Sequence, residues 1–524
     1  MRSLRAFYVL CVGLILIGCN LMAPATFPTA EPTTFRLITE IPNATITPTA
    51  FRPSAGTKIP TLPIIPTPTS TPSPPTETSI PLTGSPPTAA SKDDSRNLDE
   101  ASPQYELVAE LDYASHTLDV DETITYTNQT GGPLNSLVLN VEANRWGNCF
   151  NLKGIMLNGV PATQTLSGAR MEIPLGVSLE PDEAIILEIT YSLNIPPKQY
   201  EEVFGYVGYQ TNLVNWYPFV APYNNQRGWI LHEPSGVGEH LVYDASDFDV
   251  RLKVKGDEDL IVAASAEGKT EGNWTRYELK GARTFALSIS PIFHSQTEAN
   301  QQASVTSFYF QNYENAGKGI LEAASDAIEI YSDRFAPYPY ESLSIVQTQL
   351  ADGMEYDGLI FMGSKFYDEY NGTIKNNLIS IGVHEVSHQW WFGMVGNDQA
   401  LEPWLDEAMA LYSERIYYEV TYPFPVNWWW RFRVTWFSPS GWVDTTIYDG
   451  YGFRGYTNSV YLRGAQFLEA IRFRIGEKAF NAFLKDFATT HAQKHATTDS
   501  FFETLDRNTD KNYTDIVDDY FNRR

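Results

Sequence analysis

Cysteine, basic residues and long apolar runs are all scarce in this sequence of 524 residues. Only Cys11, Cys19 and Cys149 are present, and the first two lie within the first twenty residues. The rest of the chain therefore has a single thiol, which excludes a small fold held together by intramolecular disulfides. Such a lone cysteine is expected to behave as a small buried hydrophobe.

Basic residues are outnumbered, with 37 Lys and Arg against 63 Asp and Glu, and the formal net charge is −26. Such a surface repels phosphate backbones, so nucleic acid is not expected as a partner. Hydrophobic residues make up 43% of the chain, which is long enough for two or three domains with their own cores. The composition predicts an acidic, globular, multidomain protein.

One apolar run stands out near the N-terminus. Residues 6–18 follow two arginines and are too short to span a bilayer comfortably. The segment 16–19, Leu-Ile-Gly-Cys, resembles the bacterial lipobox, which implies cleavage before Cys19 and a diacylglycerol on its sulfur. We expect residues 1–19 to be a lipoprotein signal peptide, and the body to be exported and anchored to a membrane through Cys19. An ordinary secretory signal or a single-pass anchor is the alternative.

The next segment, residues 20–103, is dominated by proline, threonine and serine and has no apolar period. Proline interrupts helices and sheet ladders, and the segment cannot bury enough surface to offset its ordering entropy. We predict a disordered, polyproline-biased linker that holds the rest of the chain away from the membrane.

A folded β-domain is predicted over residues 104–295. Apolar and polar residues alternate in runs such as 105–113, 117–128 and 136–144, with turn residues between the runs. This period of two is typical of half-buried antiparallel strands, and it predicts a β-sandwich-like domain. An aromatic stretch at 205–229 either packs over one end of this sandwich or forms a wall of a substrate cleft, and both interpretations remain open.

The apolar period becomes helical after residue 317, with an amphipathic helix predicted at 319–335. The strongest signal follows in the sequence IGVHEVSHQWWFG at 381–393. On a helix, His384 and His388 lie on one face and can bind one metal ion, while Glu385 lies one step around the helix. Glu385 is then close enough to act as the base on a water molecule at that ion.

A catalytic zinc site needs a third protein ligand and one open position. Glu407 follows His388 with eighteen residues between them, on a second predicted helix at 402–419. HExxH with a glutamate at this spacing is far more specific than HExxH alone and predicts a zinc site. His491 and His495 are also four apart, but no acidic ligand accompanies them, so we predict a solvated helix end without metal.

These motifs resemble the M1 family of metallopeptidases, the membrane alanyl aminopeptidase and leukotriene A4 hydrolase group of gluzincins, from about residue 105 to the end. The family's metal-binding pattern is present in full. Its GxMEN motif has a relative at 353–356, and 460–472 is similar to the segment with the family's catalytic tyrosine. The resemblance implies an α+β multidomain fold, with an N-terminal β-domain and a thermolysin-like, mainly helical catalytic domain with a small sheet at 296–524.

The resemblance also implies roles for individual residues. Glu355 would pair with the α-amino group of a peptide substrate, with Gly353 and Met354 beside it in the substrate site. Tyr461 would donate a hydrogen bond to the oxyanion that forms during hydrolysis. The implied cofactor is one zinc ion per chain, and the implied substrates are peptides.

The sequence departs from the family pattern at several points. Tyr356 replaces the usual asparagine, and Ala408 replaces the usual glycine after the third ligand. Little sequence remains after the catalytic domain for the large C-terminal helical domain of many members, so a more open cleft is expected. No match is found in the sequence for the second acidic residue that some members use to hold the peptide amine.

Further residues near the motifs have less specific interpretations. The tryptophan-rich run at 427–444 is expected to serve mainly in core and interface packing. Asp398, Glu402 and Asp406 are candidates for hydrogen bonds to the metal ligands.

The expected function is that of a zinc aminopeptidase at the cell surface. One alternative is a metallo-endopeptidase with the same chemistry in a cleft open at both ends. Another is a non-catalytic zinc-binding surface lipoprotein, although the intact Glu385 argues against it because a binding protein needs no base.

Overall fold

The computed structural model describes residues 102–199, 202–256, 259–422 and 424–523. The predicted signal peptide, its lipidation site Cys19 and nearly all of the predicted linker lie outside these residues. The described residues form a β-rich part followed by a mainly helical part, so the predicted α+β architecture is confirmed. No helix in the described part of the chain has both the length and the apolar character of a bilayer span.

The β-rich part begins at residue 104 and includes one short 3₁₀ turn, Glu142–Arg145. Its strands are β1 (Gln104–Asp112), β2 (Thr117–Thr127), β3 (Leu134–Asn140), β4 (Phe150–Leu157), β5 (Val160–Pro161), β6 (Thr165–Ser167), β7 (Arg170–Leu179), β8 (Ala184–Asn194), β9 (Gly205–Val207), β10 (Gln210–Leu213), β11 (Phe219–Val220), β12 (Tyr223–Asn224), β13 (Gly228–Trp229), β14 (Ser246–Lys255), β15 (Ile261–Ala264), β16 (Gly268–Glu271), β17 (Trp274–Ala282) and β18 (Leu287–Ser290).

Most of these strands form one large sheet and two smaller ones. The large sheet has the order β16-β17-β14-β1-β2-β8-β4-β5, and the smaller sheets have the orders β11-β3-β7-β6 and β15-β18-β10-β9. Every second residue of β2 is buried, as the alternating sequence predicts for a strand with one face toward a core. The run predicted as a strand at 136–144 ends earlier, because the chain turns after Asn140 into the 3₁₀ turn.

The aromatic stretch at 205–229 divides into two parts. Trp216 and Tyr217 are buried in the core, and the Trp216 indole donates a hydrogen bond to the carbonyl of Phe285 at 3.2 Å. The end of the stretch forms the small β12–β13 hairpin, from which Arg227 reaches Asp398 of the helical part. Packing therefore explains the first half, while the second half contacts the helical part of the chain.

The helical part contains a five-stranded sheet of order β19-β20-β21-β23-β22 and a small parallel pair, β24-β25. Its strands are β19 (Phe293–Ala299), β20 (Ser304–Phe310), β21 (Ser342–Thr348), β22 (Gly353–Tyr356), β23 (Leu359–Gly363), β24 (Val395–Gly396) and β25 (Lys494–His495). Its helices are α1 (Glu314–Arg334), α2 (Ser364–Asp368), α3 (Asn377–Ser387), α4 (Trp404–Thr421), α5 (Val426–Trp429), α6 (Gly452–Thr457), α7 (Gly464–Ile475), α8 (Glu477–Thr490), α9 (Thr498–Asn508) and α10 (Thr514–Tyr520).

Two boundaries differ from the sequence-based expectation. The expected domain boundary at 295/296 falls inside β19, which already belongs to the sheet of the helical part. Helix α1 begins at Glu314, five residues before the predicted start. The additional first turn of α1 is stabilised by packing, because Gly317 lies so close to the ring of Tyr309 that a Cβ there would overlap it.

Helix α3, which contains the HExxH motif, packs between α1 and α4. Its start is capped by Asn376, whose side chain accepts a hydrogen bond from the amide of Ile379 at 3.1 Å. Beyond its end, the buried Trp390 packs edge-on against Tyr331 of α1 and donates a hydrogen bond to the carbonyl of Ala336. These contacts fix the end of α3 in position and rotation, and with it the histidines.

Candidate metal and peptide-binding site

The two histidines of the motif lie one turn apart at the end of α3. Both are buried, and their ring centroids are 4.9 Å apart. Glu407, in the first turn of α4, approaches them with Oε2 at 3.3 Å from His384 Nε2 and 3.6 Å from His388 Nε2. The three residues that the sequence predicts as metal ligands therefore converge on one point.

The other ring nitrogen of each histidine has a fixed partner. His388 Nδ1 lies 2.9 Å from the carbonyl oxygen of Trp391, and His384 Nδ1 lies 3.2 Å from Glu414 Oε1. Such contacts orient a metal-binding histidine and leave its Nε2 lone pair for the ion. Both Nε2 atoms point toward Glu407.

Glu414 was not recognised from the sequence. It lies on α4 seven residues after Glu407, hence two turns further along the same face. Its buried carboxylate accepts hydrogen bonds from Trp429 Nε1 at 2.7 Å and from Arg433 at 2.6 and 2.9 Å. The only signal for Glu414 in the sequence is its seven-residue spacing from Glu407. The hydrogen bonds from Arg433, which lies in a later turn, could not be predicted from that spacing.

The donor set fits a zinc ion. With bonds of about 2.0–2.1 Å and tetrahedral angles, neighbouring ligand atoms of zinc lie about 3.3 Å apart, close to the two distances from Glu407. Two imidazoles and one carboxylate are also the ligand types of catalytic zinc sites. His384, His388 and Glu407 would hold the ion.

The electrostatics of the ligands agree with this assignment. Burial by itself would raise the pKa of Glu407, but hydrogen bonds with the two imidazoles outweigh it and lower the pKa. Burial would likewise lower the pKa of His384, yet contacts with Glu407 and Glu414 raise the pKa to about 9. The pocket thus stabilises positive charge on its histidines, and a divalent cation would supply that charge in place of protons.

Glu385 lies beside the ligands and against the edge strand β22. Gly353 makes this possible, because a Cβ at that position would overlap the Glu385 carboxylate. Glu385 Oε2 is buried and has no hydrogen-bond partner among the described residues. Burial, reinforced by the negative charge of Glu355 and opposed by His384, raises the pKa of Glu385. A buried carboxylate with a free oxygen suits a proton acceptor.

The predicted substrate residues of the 353–356 motif lie on β22. Glu355 is buried close to Glu385 and His388, and Gln399 Nε2 lies 3.4 Å from its Oε1. Met354 is partly exposed at the same strand. Tyr356, where the family has asparagine, is buried, and its carbonyl accepts a hydrogen bond from Gln389 at 3.0 Å.

A second acidic residue, from the β-rich part of the chain, is near enough to Glu355 to interact with it electrostatically. Glu239 lies in the loop before β14, and burial, together with the charges of Glu407 and Glu355, raises the pKa of Glu239. The sequence alone does not identify Glu239 as such an acid, because the surrounding segment has neither helical nor strand periodicity and lies 116 positions before Glu355. Only the fold reveals this neighbour.

Tyr461 lies beside the metal ligand His384, in a π-helical turn at Asn458–Arg463. Its ring is nearly parallel to that of His384, at 8° and 6.2 Å between centroids. Burial and the negative charge of Glu407 raise the pKa of Tyr461, so the hydroxyl keeps its proton and can donate it in a hydrogen bond. Single π-helical turns occur frequently at functional sites.

Alanine at position 408, where the family has glycine, fits the local packing. Gly464 follows the π-helical turn, and a Cβ there would overlap that of Ala408. The pair allows α4 and the turn with Tyr461 to approach closely, so alanine at 408 is compatible with the site.

Of the three acids considered as partners of the metal ligands, two bond elsewhere. Asp398 contacts Arg227 at 3.0 Å, and Glu402 accepts a hydrogen bond from the amide of Thr498. Asp406 accepts one from Gln399 and another from the backbone amide of Glu407 at 2.9 Å, so it contacts a ligand residue through the main chain. The carboxylate that lies against a ligand side chain is that of Glu414, next to His384.

Packing explains only part of the tryptophan-rich run. Trp429 is fully buried against Glu414, whereas 67% of Trp436 and 38% of Trp442 are exposed.

Two histidines and a base on one helix, with a glutamate from the next helix, define a gluzincin-type metallopeptidase site. Comparison with known families agrees. Residues 320–446, which include the three candidate ligands and Glu385, match the peptidase family M1 domain.

Similar curated proteins are named as aminopeptidases. The chain is 25% identical to aminopeptidase M1-B of Oryza sativa subsp. japonica over 219 residues, which is 39% of this chain and 25% of the relative. It is 27% identical to aminopeptidase N of Lactobacillus delbrueckii subsp. lactis over 224 residues, or 38% of this chain and 25% of the relative. The matches span about a quarter of the length of these relatives.

The fold resembles solved structures over a larger share. The M1 zinc metallopeptidase from Deinococcus radiodurans matches with a TM-score of 0.57 and 19% identity, covering 78% of this chain and 91% of that chain. At this identity the match shows that the two proteins share the fold.

Proposed function

We propose that this protein is a zinc-dependent aminopeptidase that removes residues from the free N-termini of peptides. The observation that carries the proposal is the buried carboxylate of Glu355, which lies within 4.8 Å of ligand atoms of Glu385 and His388. Glu239 is near enough to interact with Glu355 electrostatically. An ammonium group is the natural partner of these carboxylates, and its binding would set the first peptide bond beside the metal ligands.

The residues divide the reaction among them. A bound zinc ion would supply Lewis acidity at the scissile carbonyl and lower the pKa of water. Glu385 accepts a proton from the attacking water and transfers it to the leaving amine. Tyr461 donates a hydrogen bond to the carbonyl oxygen as negative charge develops on it. Glu239 and Glu355 hold the α-ammonium group, which selects a free N-terminus.

Two further observations support peptides as substrates. The matched relatives are named aminopeptidases, and a Deinococcus radiodurans M1 metallopeptidase variant with a TM-score of 0.55 to this chain is described as bound to a Tyr-Ser-Ala substrate. We also propose one zinc ion per chain, because the two groups of potential ligands among the described residues share His388. Metal analysis of the purified protein would test that ratio.

The test of the proposal compares free and N-acetylated peptides of the same sequence. The zinc-loaded protein is expected to cleave the free peptide, with activity lost on chelation, and to leave the acetylated peptide intact. Glu355→Ala should raise KM sharply, because one of the two amine-binding carboxylates is lost. Equal cleavage of both peptides would favour the endopeptidase alternative instead, since an endopeptidase needs no free amine.

The third alternative, a zinc-binding protein without catalysis, makes the opposite prediction. It requires that the wild-type protein bind zinc and hydrolyse no peptide. Loss of a measured activity in Glu385→Gln would exclude it.

We further propose that the protein is exported and anchored through a lipid on Cys19, with residues 20–103 as a linker to the catalytic body. The support is the lipobox-like segment alone. Mass spectrometry of the mature N-terminus would test it, and Cys19→Ala should abolish the lipid and release the protein from membranes. An N-terminus upstream of residue 19 would contradict this part.

A further inference from the structure

The loop that contains Glu239 crosses from the β-rich part onto the catalytic part. We call residues 227–240 the strap. The Ser235 hydroxyl donates a hydrogen bond to the carbonyl of Ile447 at 2.7 Å, and the Tyr448 hydroxyl donates one to the carbonyl of Glu233 at 2.6 Å. At Gly238 the strap lies so close to Tyr456 that a Cβ would overlap its hydroxyl. The strap therefore rests on the segment that precedes Tyr461.

One carboxylate of the catalytic part holds the strap at two points. Asp398 Oδ2 accepts a hydrogen bond from Arg227 at 3.0 Å, and His232 Nε2 lies 2.9 Å from its Oδ1. The Asp398 side chain is only 8% exposed. Burial would raise the pKa of Asp398, but contacts with His232 and Arg227 lower it, so the residue stays ionised.

The same turn reaches the acidic site. Gln399, the next residue, donates a hydrogen bond to Asp406 at 2.9 Å and lies 3.4 Å from Glu355 Oε1. The amides of Leu401 and Glu402 bond to the Asp398 carbonyl, which fixes the turn just before α4. The residue that holds the strap and the residue that contacts Glu355 are thus neighbours on one rigid turn.

The end of the strap lies next to the segment that contains Tyr461. Gly238, the residue before Glu239, lies against the Tyr456 hydroxyl, and the ring centroids of Tyr456 and Tyr461 are 5.9 Å apart. The position of Glu239 therefore depends on how the strap is held against the catalytic part. Within the β-rich part, Arg145 also contacts the strap, through Glu233 and the carbonyl of His232. That contact does not tie the strap to the catalytic part.

We propose that Asp398 is a positioning residue for substrate binding: by pairing with Arg227 and His232 it holds Glu239 opposite Glu355, where both meet the substrate amine. The proposal rests on the proposed function. The positioning role adds to the proposed function, because it assigns the orientation of the amine site to an ion pair between the β-rich and the helical parts of the chain.

The test measures binding without turnover. Zinc-loaded full-length protein with Glu385→Gln is titrated with L-leucinamide by calorimetry, and N-acetyl-L-leucinamide serves as the ligand without an amine. Adding Asp398→Asn should weaken L-leucinamide binding about tenfold, the size typical of residues that act through a neighbour. Binding of the acetylated compound and the zinc content should not change.

A matched control separates positioning from general loss of an ion pair. Asp249 forms a two-bond pair with Arg276 at 2.6 and 2.9 Å within the β-rich part. Asp249→Asn should leave L-leucinamide binding unchanged. In active protein, Asp398→Asn should raise KM for leucyl substrates with little change in kcat. Arg227→Gln, which changes a partly exposed residue of the same ion pair, should have the same effect and replaces Asp398→Asn if that variant folds poorly.

A double variant gives the sharpest outcome. If Asp398 acts through Glu239, then Asp398→Asn should have no further effect once Glu239→Gln is present. Additive effects, or L-leucinamide binding equal to that of the Asp249→Asn control, would overturn the positioning role and leave the proposed function intact. Wild-type protein that prefers neither free peptides nor L-leucinamide over their acetylated forms would overturn both.

Discussion

Two segments of this chain have histidines four residues apart, and only one of them forms a metal-binding arrangement. At 384–388 both imidazoles are buried, and Glu407 lies 3.3 and 3.6 Å from them. At 491–495 helix α8 has already ended at Thr490, and the side chains diverge. His491 contacts Thr504 at 3.2 Å and His495 contacts Asp244 at 2.8 Å.

The difference teaches what the spacing does and does not specify. Four-residue spacing brings two side chains together only where the helix continues through or up to both positions. A metal site also needs a carboxylate from another element and partners that orient each ring. The first segment has Glu407, Glu414 and the Trp391 carbonyl for these tasks, whereas the second forms ordinary polar contacts.

The largest expected effect is the loss of a metal ligand at the first segment. His388→Ala should weaken zinc binding by more than the roughly 10- to 100-fold that is typical when a hydrogen-bond partner of a metal ligand is lost. Peptide hydrolysis should be lost together with the ion. Metal analysis after dialysis measures the first and a fluorogenic aminoacyl substrate the second. His491→Ala is the matched control, and loss of zinc in that variant would break the comparison.

The next effect concerns the base rather than the ion. Glu385→Gln should lower kcat by about 10²- to 10⁴-fold, because proton transfer to a positioned carboxylate contributes that much. Zinc content should stay at the wild-type level, since Glu385 is not one of the three ligands. Turnover that survives this change would refute the assigned role.

A smaller effect is expected from the carboxylate behind His384. Glu414→Gln should reduce zinc affinity by roughly 10- to 100-fold, because the imidazole loses its charged partner. Competition with a chelator of known affinity measures this. Glu419→Gln on the same helix, whose side chain accepts hydrogen bonds from Arg415 and Arg472 at 2.8 and 2.9 Å, is the control. Equal losses in both variants would show that only helix stability had changed.

The smallest effect belongs to the second segment. His495→Ala removes a partly exposed contact with Asp244, and such pairs contribute less than about 1 kcal/mol to the free energy of unfolding. Chemical denaturation would measure the change, and zinc content and hydrolysis should be unaltered. A shift of several kcal/mol would mean that this segment is more important to the fold than its exposure indicates.

The parts of the site that follow from local periodicity were predictable. His384, Glu385 and His388 share one short helix, and Glu407 follows at a spacing that a helix pair can close. Strand alternation likewise predicted β1 and β2 to within about a residue. These features depend on neighbours in the chain, whose relative positions the backbone geometry limits.

Other parts depended on distant residues and could not be predicted. Arg433, which lies beyond the end of α4, donates a hydrogen bond to Glu414, the partner of His384. Glu239 reaches the site from the β-rich part. The early start of α1 at Glu314 likewise reflects packing of Gly317 against Tyr309, which no local propensity reports.

By itself the sequence determined which residues can bind a metal ion and where the helices and strands that present them lie. Tertiary structure decided which carboxylates join them, how the rings are oriented and which loop lies beside them. The physical reason is range: spacing along a helix is set by covalent geometry, whereas the approach of Glu239, Glu414 and Asp398 to their partners depends on how whole elements pack.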